Sequence, residues 1–163
     1  MSTNEHPQKH IKYFWEDLPV GSTMELGSVT VDREEVLEFA RKYDPQPFHL
    51  DDEAAARSPI FGRLAASGWH TCAMAMGLMA RNFMCQAASM GSPGIEQIKW
   101  PRPVYPGDTL TLRKRVVESR PLKSRPNAGL VRTHWEMFNQ HGEQVLMMDS
   151  HAIFGRRTPG GQA

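Results

Sequence analysis

Asp44 and His49 stand five positions apart in the run Tyr43-Asp44-Pro45-Gln46-Pro47-Phe48-His49-Leu50-Asp51. A carboxylate and an imidazole that converge on one point form a proton-transfer pair. Pro45 and Pro47 fix their own φ and bias Asp44 and Gln46 away from helical geometry, so the run is expected to hold an extended bend. Such a bend aims the side chains at its two ends into one cleft. The same residues would also serve as a plain polar loop, with Asp44 ending one helix and Asp51 capping the next. The remaining histidines offer less. His6, His10, His134, His141 and His151 show no metal-ligand spacing and have no acid cluster beside them, so no metal is expected. His70 reads as a packed or partly exposed side chain.

The elements that would carry this pair follow from periodicity. Residues 22–31 alternate in part (Met24, Leu26, Val29, Val31) and read as a strand. Asp32 offers an N-cap, with Glu35 in the capping-box position. Val36, Phe39 and Ala40 then give an apolar stripe at helical spacing, and the Asp44-Pro45 step stops that helix near Tyr43. Asp51 can cap a short helix over 52–57, broken by Ser58-Pro59. Ser67-Gly68 opens the longest helix, which is apolar nearly all round: Trp69, Cys72, Met74, Met76, Leu78, Met79, Phe83 and Met84 leave no polar face. A helix of that kind is buried. Its methionines read as plastic core. Residues 89–94 read as a glycine-containing turn. Strands are expected over 95–100, 109–118, 130–139 and 144–154, with 119–127 an exposed basic loop and 140–143 a hairpin turn. These elements imply an α+β domain, an antiparallel sheet curled around a long central apolar helix.

The totals agree with one domain. The chain has 163 residues, with 19 Lys and Arg against 18 Asp and Glu and a net charge of +1, so neither nucleic acid nor an anionic membrane is called for. Hydrophobic residues make up 40% and charged residues 23%, ordinary for a globular protein. Cys72 and Cys85, the only cysteines, fall in one apolar run and read as buried thiols, which favours a reducing, cytoplasmic compartment. The apolar run 69–84 is interrupted by His70, Arg81 and Asn82 and is too short to span a membrane. Residues 1–12 read as a flexible leader, 13–157 as the domain and 158–163 as a disordered tail.

Three motifs in order carry a family resemblance. Asp44-Pro45-Gln46-Pro47-Phe48-His49-Leu50-Asp51 resembles the hydratase motif Asp-x-Asn-Pro-x-His-x-Asp of the MaoC-like, R-specific enoyl-CoA hydratase branch of the hot-dog fold. Ala65-Ala66-Ser67-Gly68-Trp69-His70-Thr71 resembles the small-residue stretch that opens the family's central helix. Pro103-Val104-Tyr105-Pro106-Gly107-Asp108 matches its inter-strand turn. The likeness covers about residues 14–156. Gln46 stands where the family usually has Asn, and Ser67 where many members have His; Ser can still cap the helix.

The resemblance implies a single hot-dog domain that works as a homodimer or higher homo-oligomer. It implies reversible hydration of a 2-enoyl thioester, a lyase reaction, with coenzyme A as carrier and no other cofactor. Asp44 and His49 would hold the water and manage the C2 proton. The Gly68 N–H, at a helix N-terminus, would receive the developing charge on the thioester oxygen, its missing side chain allowing close approach. Ser67 and Gln46 complete the implied site. The basic stretch Arg113, Lys114, Arg115, Arg120, Lys123 and Arg125 reads as a solvated strand edge and loop that can also face coenzyme A phosphates. Two rivals remain: a hot-dog thioesterase, and a non-catalytic acyl-CoA-binding or dimerisation protein.

Overall fold

A computed structural model describes residues 10–158. Five strands, β1 (Thr23–Thr30), β2 (Ser89–Lys99), β3 (Thr109–Leu122), β4 (Arg125–Phe138) and β5 (Gln144–Gly155), form one antiparallel sheet in the order β1-β3-β4-β5-β2. Alternation decides which face of this sheet is buried. Leu110, Leu112 and Val116 of β3, Val131, Trp135 and Met137 of β4, and Leu146, Met148 and Phe154 of β5 lie in one core, while Arg113 and Arg115 face out. The sheet curls around α3 (Gly68–Asn82), which inserts Met74, Ala75, Leu78 and Met79 into that core. The architecture is the α+β hot-dog arrangement that the sequence implies.

Two shorter helices sit between β1 and α3. Helix α1 (Arg33–Tyr43) starts at Asp32, whose Oδ1 accepts the Glu35 N–H at 2.9 Å, and buries Val36, Leu37 and Ala40. Helix α2 (Asp52–Ala56) starts at Asp51, which accepts the Ala54 N–H at 2.8 Å. Between them Pro47–His49 forms a single 3-10 turn rather than the extended bend expected from its prolines. Pro47 at its first position suits such a turn, since its missing N–H has no acceptor there anyway. At the inter-strand turn Gly107 has φ +89°, a conformation that favours glycine, and its N–H reaches the Val31 carbonyl at 2.8 Å.

Several expectations need correction. Residues 89–94 are not a turn but the start of β2, a bulged stretch of strand whose glycines interrupt the pairing with β5. Residues 119–127 are not a loop: β3 and β4 extend through them to a short hairpin between Leu122 and Arg125. Helix α3 is not covered all round within one chain, for Trp69 and Met76 are exposed at 59% and 48%. Cys85 is exposed and Cys72 half-buried; both thiols are free. The leader and tail fall largely outside the described residues. At their inner ends, the Lys12 and Tyr13 N–H groups donate to the Gln86 carbonyl, and Thr158 N–H donates to Glu16. Among the described residues no helix is long and apolar enough to cross a membrane.

Candidate active site

The end of α1 and the 3-10 turn after it deliver the two candidate groups, Asp44 and His49. Asp44 is the C-cap of α1, held by its N–H to the Ala40 carbonyl at 2.9 Å. The turn then folds His49 back, so that its Nε2 lies 3.5 Å from Asp44 Oδ2. Both side chains are shielded, His49 at 5% and Asp44 at 17% exposure. His49 Nδ1 lies 2.7 Å from the Ala65 carbonyl. A carbonyl only accepts, so Nδ1 carries the proton and donates. In the neutral ring, the Nε2 lone pair is therefore turned toward Asp44.

Two donors hold the Asp44 carboxylate. Ser67 Oγ–H donates to Oδ2 at 2.6 Å and Gln46 Nε2–H donates to Oδ1 at 2.7 Å. Burial alone would raise this carboxyl's pKa. The hydrogen bonds from Ser67 and Gln46, joined by His49 whenever its ring carries a proton, outweigh it and hold the group below the usual aspartate value. The group is thus an acceptor at neutral pH. Ser67 does not cap α3 with its side chain, contrary to expectation, because its hydroxyl is committed to Asp44. Gln46 likewise grips Asp44, and its extra methylene does not keep the amide from reaching the carboxylate.

Gly68 is the first residue of α3, next to Ser67. The N–H of a first helical residue has no intrahelical acceptor and points out of the helix with the favourable end of the dipole. Asp44, Gln46, His49 and Gly68 line one cavity of about 410 Å³, walled by Phe48, Phe61, Trp69 and Trp100. His70 lies apart from it, buried and stacked on Phe39 with ring centroids 4.9 Å apart. Among the described residues, no group of histidines, cysteines and acids could hold a metal ion.

The basic stretch does not reach this cavity. Arg113 pairs with Glu25 at 3.1 Å and Arg120 with Glu118 at 3.2 Å, and Lys114 turns into the core over the Phe83 ring. The cation that does line the cavity is Arg102. Residue patterns also missed the Ala65 carbonyl and Trp100. A backbone acceptor leaves no mark in side-chain identity. Trp100 carries only the cue of an aromatic beside Pro101, with nothing to tie it to Gly68.

Comparison with known proteins agrees with this fold. The family model described as MaoC like domain matches residues 18–135. The chain belongs to the MaoC-like domain family, whose hot-dog members include dehydratases and R-hydratases. It is similar to the MaoC-like dehydratase from Rhodospirillum rubrum, with 39% identity and a TM-score of 0.83 over 90% of this chain and 99% of that one. It is also similar to the R-hydratase PhaJ1 from Pseudomonas aeruginosa, with 26% identity and a TM-score of 0.69 over 89% of this chain and 86% of that one. A relative in Bacillus subtilis (strain 168), the uncharacterized protein YdeM, is 25% identical over 80% of this chain and 91% of its own length.

Proposed function

We propose that this protein is a lyase that reversibly hydrates a 2-enoyl thioester carried on coenzyme A, with no other cofactor. The observation that carries the reading is the tethered Asp44 carboxylate facing His49 Nε2 at 3.5 Å, in a cavity that also contains the first residue of α3. Asp44 and neutral His49 present two acceptors to one water. A water that donates to both turns an oxygen lone pair toward substrate C3. As the C3–O bond forms, a water O–H bond breaks and its proton passes to the pair, then to C2. The enolate-like charge on the thioester oxygen is met by the Gly68 N–H. Dehydration runs the same steps backwards.

A homodimer fits the exposed apolar surface. Strand β2 is a sheet edge that carries Met90 and Ile95, exposed at 46% and 51%, and α3 presents Trp69 and Met76. Unpaired edges and exposed apolar side chains call for a partner, and a second copy of this chain supplies a matching edge. Two free thiols are consistent with a cytoplasmic setting.

The test is a panel of 2-enoyl-CoA substrates of increasing chain length, followed by loss of enoyl-thioester absorbance and by titration of free thiol. Hydration predicts absorbance loss without thiol release. Stoichiometric thiol release would instead identify a thioesterase. Binding without either change would identify an acyl-CoA-binding protein.

A further inference from the structure

Trp100 follows the end of β2, and its indole lies across the first turn of α3. Its Nε1–H donates to the Gly68 carbonyl at 3.0 Å. A Cβ added to Gly68 would stand 2.7 Å from the indole Cε2 and 3.0 Å from Nε1. The space left by the missing side chain is therefore filled by the tryptophan. This gives the glycine a packing reason beside the close approach of substrate expected from the sequence. The ring is steadied in turn by Trp69, which meets it edge-on with centroids 5.5 Å apart. Trp100 remains 42% exposed, too open for a core anchor, and it lines the catalytic cavity.

Glycine is the residue freest to move, and it stands at a helix end, where order is weakest. Catalysis by the reading above needs its N–H held within about 2.7–3.1 Å of the oxyanion position. We propose that Trp100 is a positioning residue, which clamps Gly68 on its carbonyl and on its Cα and so aims the Gly68 N–H at the thioester oxygen. This rests on the hydratase reading. Substrate polarisation then depends on an indole that itself need not contact the reacting atoms.

The test compares Trp100→Phe, which keeps a ring against Gly68 but lacks the donor, with Trp100→Ala, which lacks both. Rates are read as separate kcat and KM values on the best 2-enoyl-CoA. Polarisation is read from the absorbance of bound 2,4-hexadienoyl-CoA, with each change placed in an Asp44→Asn background to slow turnover. A donor at the thioester oxygen shifts that band to the red. Misplacing a reacting group by about 1 Å costs up to roughly 10² in rate. Trp100→Ala is expected to lose about 10- to 100-fold in kcat, with a smaller change in KM, and most of the red shift. Trp100→Phe should fall between it and wild type and, with its ring retained, serves as the folded control by thermal melting. Wild-type kcat and an undiminished shift in Trp100→Phe and Trp100→Ala would overturn the proposal while leaving the hydratase reading intact. If Trp100→Ala does not fold, Trp100→Phe alone decides by the same criteria. Wild type that neither turns over nor shifts the band removes the hydratase reading, and this role of Trp100 with it.

Discussion

Asp44 owes its character to its neighbours. Ser67 and Gln46 each donate to one of its oxygens, and together with His49 they outweigh the burial that would otherwise raise its pKa. Because the folded carboxyl titrates below its unfolded value, the stability it contributes is present above the unfolded pKa and is lost as pH falls through the folded one. Activity that needs the carboxylate fails on the same acid limb. Ser67→Ala removes one stabilising donor, so the acid limb of kcat/KM should move to higher pH while the alkaline limb stays in place. A pH–rate profile of the two proteins checks this, and an unmoved acid limb would contradict it. The convergence of Asp44 and His49 was legible in the sequence because two prolines and only four intervening positions confine them to one loop. What the loop could not reveal lay far along the chain: the hydroxyl of Ser67, the carbonyl of Ala65 and the indole of Trp100.

Strand β3 carries an exception to its own pattern. Lys114 takes the inward position between Leu112 and Val116, is 4% exposed and lies 4.4 Å over the Phe83 ring. Burial lowers its pKa to about 8. The unfolded side chain titrates near 10.4. Between these values the unfolded chain holds a proton that the folded one has released, so stability rises with pH across that window; below about pH 8 the full cost of burying the charge is present. Lys114→Met should therefore raise stability at pH 7, by about 1–3 kcal/mol, and flatten the rise between pH 8 and 10. Urea denaturation at pH 7 and pH 9.5 reads both effects, and a destabilised variant at pH 7 would show that the ammonium is held by more than the ring. Strands with an apolar side were the readable ones: the alternation in 109–118 and 144–154 located β3 and β5. The early part of β2 was unreadable because it is an exposed edge with glycine bulges and no buried face to impose alternation. The tips of β3 and β4 pair with each other beyond most of the core, so their basic, proline-containing residues looked like a loop.

The whole molecule leaves an apolar surface uncovered. The sequence marked α3 as a helix without a polar face, and burial from every side was the natural inference. The sheet covers it from one side, leaving Trp69 and Met76 open beside the edge strand β2. The proposed dimer would resolve the conflict between an all-apolar helix and a one-sided cover. Sedimentation or light scattering should give twice the 18.4 kDa chain mass. Ile95→Lys, which places a charge on the β2 edge, should shift the population toward monomer. A wild-type monomer at micromolar concentration would contradict the assembly.

If Asp44 and His49 activate one water against a 2-enoyl thioester, the hydration rate of the best 2-enoyl-CoA depends on both. The most direct measurement is that rate with wild type, Asp44→Asn and His49→Ala, each verified as folded. Loss of one member of a proton-transfer pair costs about 10² to 10⁴ in rate. Wild type is expected to hydrate the substrate and both variants to lose activity on that scale, with KM changed far less. Variants that retain wild-type rates would contradict this role and place the chemistry on other residues.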